Sequence, residues 1–310
     1  MRLSSFLPRL SLTLTYLTSP SESFQLTQHS RLILHASQSN NHLDDGATKG
    51  LKVGFLGCGV IATSIAKGLL TQSSDTDNGI PITSIAITKR SEQKSKSLRD
   101  SHPDKVTIYD DPQHVVDNSD LVFLCVLPQQ VESLLSRISF DETRHTLVSL
   151  VSTATVTDLT SCSKLPPGRV HRMICLPSVS RRQGVCLLTP PALSSSSLSS
   201  SHAGISLRPL LENLGGVVEC ETERQMVTMT SATGLMGPLY AILRSNRDYL
   251  TERGVPRSKA SSFIAKFYGS VISDAMVDCE EEGRFDDLIR EQTPRGLYEQ
   301  EIAYDAALDA

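Results

Sequence analysis

The stretch Leu51-Lys52-Val53-Gly54-Phe55-Leu56-Gly57-Cys58-Gly59-Val60-Ile61-Ala62-Thr63-Ser64-Ile65-Ala66-Lys67-Gly68-Leu69 decides how this chain is read. Its first six residues are mostly apolar, as in a strand buried within a parallel sheet. Gly57, Gly59 and Ala62 follow at once. Ile61, Ile65 and Leu69 then recur every fourth residue, with Ala62 and Ala66 on the neighbouring stripe, which is a helical period. Strand, glycine loop and helix in succession give the G-x-G-x-x-A spacing its meaning. Gly57 allows the tight turn, Gly59 lets backbone approach a pyrophosphate, and Ala62 lets the helix lie close to the strand. The start of the helix, at Val60, Ile61 and Ala62, offers free N–H groups and a partial positive charge to phosphate oxygens. The reading is a Rossmann-type dinucleotide-binding domain.

Working outward, the second strand is expected at Ile82–Thr88, after a polar insertion from Gln72 to Gly79. NAD-preferring proteins often end this strand in a carboxylate that holds the ribose 2′-hydroxyl. Here it ends in Thr88-Lys89-Arg90-Ser91, with two cations where a 2′-phosphate would sit. Charge-assisted bonds of that kind are worth roughly 1.5–3 kcal/mol each, so the sequence points to NADPH over NADH. Further strands are expected at Val106–Tyr109, Leu121–Leu127, Thr146–Val151, Arg169–Leu176, Val185–Leu188 and Val217–Glu221. Val115 and Val116 face inward on a short helix, and Val131, Leu134, Leu135 and Ile138 mark another. The carboxyl end of the fourth strand, at Val126, Leu127 and Pro128, should border the cofactor crevice. The serine-rich Leu193–Ser201 reads as a surface loop.

Residues 1–49 read as a targeting leader and linker. They are rich in Ser, Thr and Leu, Arg2, Arg9 and Arg31 are basic, and Glu22 is the only acid before Asp44. That composition suits import into a plastid or mitochondrion. The 310 residues carry a formal net charge of −4, so no global basic field points to nucleic acid. Uninterrupted apolar runs fall short of the ~20 residues of a membrane helix, which argues against a membrane span. The seven cysteines are scattered, with no Cys-x-x-Cys pair and no metal-ligand spacing, so neither a zinc site nor a disulfide framework is expected. Cys58, inside the glycine loop, reads as a small residue that fits there rather than as a reactive thiol.

The Rossmann domain is expected to span 50–222, giving an α/β, mostly parallel sheet followed by an all-α region over 223–310. Helical patterns run from about Gly237 to Leu250, through Phe263, Ile264, Phe267, Val271, Ile272 and Ala275, and again from Pro294. Their stripes are too apolar for isolated helices. A bundle within one chain and a dimer interface both satisfy them.

From Leu51 to Tyr298 the order of landmarks resembles the Δ1-pyrroline-5-carboxylate reductases. The glycine loop, Leu124–Gln129, Arg169–Pro177 with Gly184-Val185, Gly237-Pro238-Leu239-Tyr240 and Gln292-Thr293-Pro294-Arg295-Gly296 are similar to that family's successive motifs. The resemblance implies an NAD(P)H-dependent oxidoreductase that passes hydride to the C=N carbon of a cyclic imine in proline synthesis, with a helical domain that interlocks in a homodimer. It implies that Gly237 and Pro238 open the helix bordering the substrate and that Thr293, Arg295 and Gly296 line the far side. Arg295 could pair with a substrate carboxylate, and Tyr240 could pass a proton to the imine nitrogen. This chain departs from the family pattern in carrying apolar Leu235 and Met236 before Gly237, and Leu297-Tyr298 in place of a pair of threonines. Reduction of another small imine or keto acid, and a non-catalytic nucleotide-binding role, therefore stand as alternatives. His114, His145 and His171 read as structural.

Overall fold

The computed structural model describes residues 50–71, 80–89, 92–191 and 205–291. Residues 1–49, expected to be a leader and linker, Arg90, the serine-rich stretch and the segment holding Thr293, Pro294, Arg295 and Gly296 lie outside the described residues.

Eight strands form one sheet: β1 (Leu51–Leu56), β2 (Ile82–Thr88), β3 (Val106–Tyr109), β4 (Leu121–Leu124), β5 (Thr146–Ser149), β6 (Val170–Cys175), β7 (Cys186–Thr189) and β8 (Val217–Glu219). Their order is β3-β2-β1-β4-β5-β6-β7-β8. The first six run parallel. The chain reverses between β6 and β7, and β8 runs parallel to β7. The sheet is thus mostly parallel, and its order reverses on either side of β1, where the chain crosses from the β1-β2-β3 half to β4.

The two-residue period of each strand sorts its side chains onto two faces. Val53, Phe55, Leu121 and Phe123 join one core cluster with Ile65 and Leu69 of α1 (Val60–Leu70) and Leu98 of α2 (Glu92–Ser101). Leu56, Val122 and Leu124 face the other way. They meet Val115 and Val116 of α3 (Pro112–Asp117), Val131 and Leu135 of α4 (Val131–Leu135) and Leu159 of α5 (Val156–Ser163). Phe55 and Phe123 stack across β1 and β4 with centroids 5.1 Å apart. Gly68 sets the depth of α1. A Cβ there would lie 2.3 Å from the Val179 carbonyl oxygen, so only glycine lets α1 rest on the 3-10 turn Pro177–Arg181. Leu207, Leu210 and Leu211 of α6 (Leu207–Glu212) complete this layer.

After β8 every described element is helical: α7 (Glu223–Ala232), α8 (Met236–Glu252), α9 (Arg257–Ala275) and α10 (Arg284–Arg290). Thr222 caps α7, its hydroxyl accepting from the Gln225 N–H at 3.2 Å. The sequence pattern placed the start of this region's first helix at Gly237, yet the chain is already helical from Glu223. A 3-10 turn, Thr233–Leu235, joins α7 to α8. Pro238 accounts for the tightening, because it has no N–H to offer the Gly234 carbonyl one turn back.

Glu223–Glu252 is, among the described residues, the one helical run long and apolar enough by length and composition to cross a membrane. The count of apolar runs overlooked it because polar but uncharged residues are scattered from Gln225 to Leu243. Its side chains are largely exposed, as are Phe263, Phe267, Val271 and Ile272 on α9.

One partly buried ion pair ties the helices to the sheet. Arg172 of β6, 6% exposed, bonds Glu223 at the start of α7 and also the Ser152 carbonyl at 2.5 Å. The same Glu223 oxygen accepts the Val156 N–H at the start of α5 at 3.0 Å.

Candidate functional site

The glycine loop lies where β1 ends and α1 begins, at the carboxyl edge of the parallel strands. Gly57 has φ +103°, and a Cβ on it would stand 2.3 Å from the Cys125 carbonyl oxygen. Both facts demand glycine. β4 stops at Leu124, short of the Leu127 expected from the apolar run, because both neighbouring strands end opposite it, β1 at Leu56 and β5 at Ser149. Gly59 differs. It caps α1 with φ −84° and ψ −168°, an ordinary extended conformation, and a Cβ there would meet nothing within 4 Å. Its bare face opens outward.

The first bond of α1 is Thr63 N–H to Gly59 O at 3.0 Å. The N–H groups of Val60, Ile61 and Ala62 precede it and have no intrahelical acceptor, and no side chain caps Gly59. Ala62 is buried against the sheet, Ile61 is half-buried and Val60 is exposed. The turn therefore has what a diphosphate needs: an unobstructed backbone face and free amides on a helix axis.

Thr88 sits beside the turn. Buried at the end of β2, its hydroxyl oxygen accepts the Gly57 N–H at 2.8 Å. It thereby fastens the turn to the neighbouring strand.

A cavity of about 300 Å³ opens beside the loop, lined by Gly57, Thr88, Lys89 and Val126 together with Asp110, Gln130, Ser133 and Arg137. Leu127 is exposed, and Pro128 starts a 3-10 turn before α4. Asp110, Gln130, Ser133 and Arg137 were not foreseen from the sequence, where strand ends mark the site and the turns behind β3 and β4 do not. Asp110 matters most. It stands 3.7 Å from Lys89 Nζ, so the turn after β3 supplies the acid that the end of β2 lacks. A second recess of about 350 Å³ adjoins it, with Lys89, Lys96 and Arg99 facing Glu92 and Asp110. The cations around the cavity are partly offset by acids.

Gly237, Pro238 and Tyr240 lie on α8, all exposed and none lining this cavity. Gly237 and Pro238 fall within the first turn of α8, which the 3-10 turn joins to α7.

The remaining candidates are structural. Cys58 is buried and its thiol is pushed up by burial, against a hydrogen bond with Thr63. His171 is buried, its Nδ1 3.0 Å from the Pro190 carbonyl, and burial lowers its pKa. His145 is likewise buried and lowered, by burial and then by Arg144. Among the described residues no group of three or more His, Cys, Asp or Glu could hold a metal ion.

Residues 52–153 match the family described as NADP oxidoreductase coenzyme F420-dependent. The chain is 26% identical over 221 residues to pyrroline-5-carboxylate reductase 3 of Danio rerio, covering 70% of each chain. It is 23% identical over 235 residues to ComE operon protein 4 of Bacillus subtilis, covering 74% of this chain and 75% of that one. Its fold is similar to that of 1-pyrroline-5-carboxylate reductase from Streptococcus pyogenes, with a TM-score of 0.64 at 20% identity over 84% of this chain and 92% of the other. Plasmodium falciparum pyrroline carboxylate reductase, solved with NADP bound, gives a TM-score of 0.62 at 14% identity over 84% and 90%.

Fold, glycine turn and family match define a class, the Rossmann-type pyridine-nucleotide oxidoreductases with a helical region after the sheet. Within that class the chain is similar, at low identity, to pyrroline-5-carboxylate reductases.

Proposed function

We propose that this chain is an NADPH-dependent reductase of Δ1-pyrroline-5-carboxylate, or of a closely similar cyclic imino acid, and that its product is proline or the matching saturated ring. The observation that carries this reading is the glycine turn: Gly57 is forced by the fold, while Gly59 presents an open backbone face beside free helix-start amides. NADPH supplies the hydride, and the protein supplies binding, orientation and field. Gly59 and the Val60, Ile61 and Ala62 amides hold the diphosphate, Thr88 fixes the turn, and Val126, Leu127 and Pro128 border the crevice. Lys89 and Arg90 favour the 2′-phosphate.

The substrate side belongs to Gly237, Pro238, Thr293, Arg295 and Gly296, with Tyr240 as proton donor to the imine nitrogen. Since Gly237, Pro238 and Tyr240 on α8 do not line the cavity of their own chain, a second copy completes the site. The exposed apolar faces of α8 and α9 support a homodimer built through the helical region. The polar residues spread along Glu223–Glu252 suit contact with another protein surface better than with lipid. The leader directs the chain to a plastid or mitochondrion.

A second reading keeps the cofactor and changes the substrate. Leu235 and Met236 are apolar and exposed just before Gly237, which suits a small imine or keto acid less polar than pyrroline-5-carboxylate. One experiment separates the two: NADPH oxidation followed by absorbance, with pyrroline-5-carboxylate set against a panel of other cyclic imines and short keto acids. Turnover on the first substrate alone supports the first reading. Turnover confined to the panel supports the second. Cofactor binding without turnover on any of them removes both in favour of a nucleotide-binding protein.

A further inference from the structure

Cys175 ends β6 and Cys186 begins β7, and the antiparallel register sets them directly opposite each other. The Cys186 N–H donates to the Gly216 carbonyl at 2.9 Å, on the β8 side. Cys186 therefore turns its backbone bonds away from β6, and Cys175–Cys186 is a non-hydrogen-bonded pair. Such pairs bring their Cα atoms to about 4.5 Å and their side chains close together. That distance lies within the ~4.4–6.8 Å that a disulfide spans. Both side chains belong to the cluster that packs beneath α1, where the Cys175 thiol is near enough to perturb that of Cys186. Both are buried and both are free.

From this geometry we infer that Cys175 and Cys186 form an oxidisable dithiol, closing to an intrachain disulfide by exchange with a low-molecular-weight disulfide. The inference does not rest on the proposed function.

Cys175 is the side open to attack, at 8% exposure against none for Cys186. As a thiolate it attacks one sulfur of the small disulfide, forming a mixed disulfide and releasing one small thiolate. Cys186 then gives up its proton to that leaving thiolate and attacks Cys175 Sγ, expelling the second small thiolate, which takes the proton that Cys175 lost. Two protein thiols are oxidised and one small disulfide is reduced to two thiols. The Cys186 thiol is raised above its ordinary pKa, by the adjoining Cys175 thiol and then by burial, so exchange is slow near neutrality and quickens with pH.

The bond would close the loop that contains the Pro177–Arg181 turn. That turn is the surface on which α1 rests through Gly68. Oxidation therefore staples the support of the helix that carries the glycine turn.

The test equilibrates the full chain with oxidised dithiothreitol. Intact mass and peptide mapping are read before and after, with Tm measured in both forms. The expected result is loss of two hydrogens, a linked Cys175–Cys186 peptide pair, reversal by reduced dithiothreitol, and a Tm rise of about 5–10 °C for so short a loop. Cys175→Ala and Cys186→Ala should each remove the link and the rise. Persistence of both thiols at equilibrium, a persistent mixed disulfide, or pairing elsewhere such as Cys58 with Cys125, would overturn the inference. Because the mapping is done on the unaltered chain, the test stands even where a variant fails to fold.

Discussion

Gly57 and Gly59 stand two residues apart in one loop, yet the structure gives them opposite duties, and substituting each with alanine separates those duties. Gly57→Ala forces a side chain into φ +103° and drives a Cβ to 2.3 Å from the Cys125 carbonyl oxygen, a backbone atom that cannot rotate away. The conformational part costs ~1–2 kcal/mol and the overpacking ~1–3 kcal/mol. A total of about 2–5 kcal/mol is a large share of the ~5–15 kcal/mol that holds a typical domain together. Gly59→Ala meets nothing within 4 Å and keeps an extended φ, so its effect on stability stays under about 1 kcal/mol, the difference between glycine and alanine at a helix cap. Its methyl group would, however, occupy the face where the diphosphate must approach. Urea denaturation with a fixed m-value reads the first quantity, and titration of NADPH fluorescence reads the second. Gly57→Ala should lower the midpoint sharply. Gly59→Ala should leave it near that of the parent and lose most cofactor affinity. A Gly59→Ala chain that binds NADPH as the parent does, or a Gly57→Ala chain with the parent's midpoint, would refute the division of labour.

Thr88→Val keeps the shape of a buried side chain but strands the Gly57 N–H, and should cost about 1–3 kcal/mol in urea denaturation. Glu223→Ala leaves the Arg172 guanidinium without its carboxylate. Allowing for the partial exposure of Glu223, the loss should be about 2–3 kcal/mol, and the double variant Arg172→Met/Glu223→Leu should recover much of it in a double-mutant cycle. His171 has a folded pKa below its unfolded 6.5 because burial disfavours the imidazolium, so the unfolded chain binds the proton first. Stability should be full above that pH and fall as pH drops through it, and His171→Gln should flatten this slope when denaturation is compared at pH about 7.5 and 5.5. Arg90→Ala should weaken NADPH far more than NADH in paired binding titrations; equal losses would remove the 2′-phosphate role.

The half of the sheet that positions the glycine turn was legible because its signals are local. A six-residue apolar strand, two glycines and a four-residue repeat need no tertiary information, and β1, β2 and β3 fall where the sequence placed them. The strand ends further along were read too long for a tertiary reason. Cys125 and Val126 are apolar enough for β4, but the neighbouring strands β1 and β5 end opposite Leu124 and leave them no ladder to join. α7 was missed because Glu223–Ala232 buries only Met226, leaving no stripe to recognise. Asp110 and Arg137 entered the cavity from turns whose sequence carries no periodicity, so their convergence on Lys89 and Val126 is visible only in three dimensions. The reversal at β7 is equally silent, since a short apolar strand reads the same in either direction.

The bond between Gly57 and Thr88 also limits how the turn can work. An amide hydrogen already committed to a hydroxyl on the next strand has nothing left to give a visiting anion. Whatever charge this mouth accepts must draw its donors from further along the chain, closer to the axis of the following helix. The threonine thus shifts the seat of binding by occupying the nearer one.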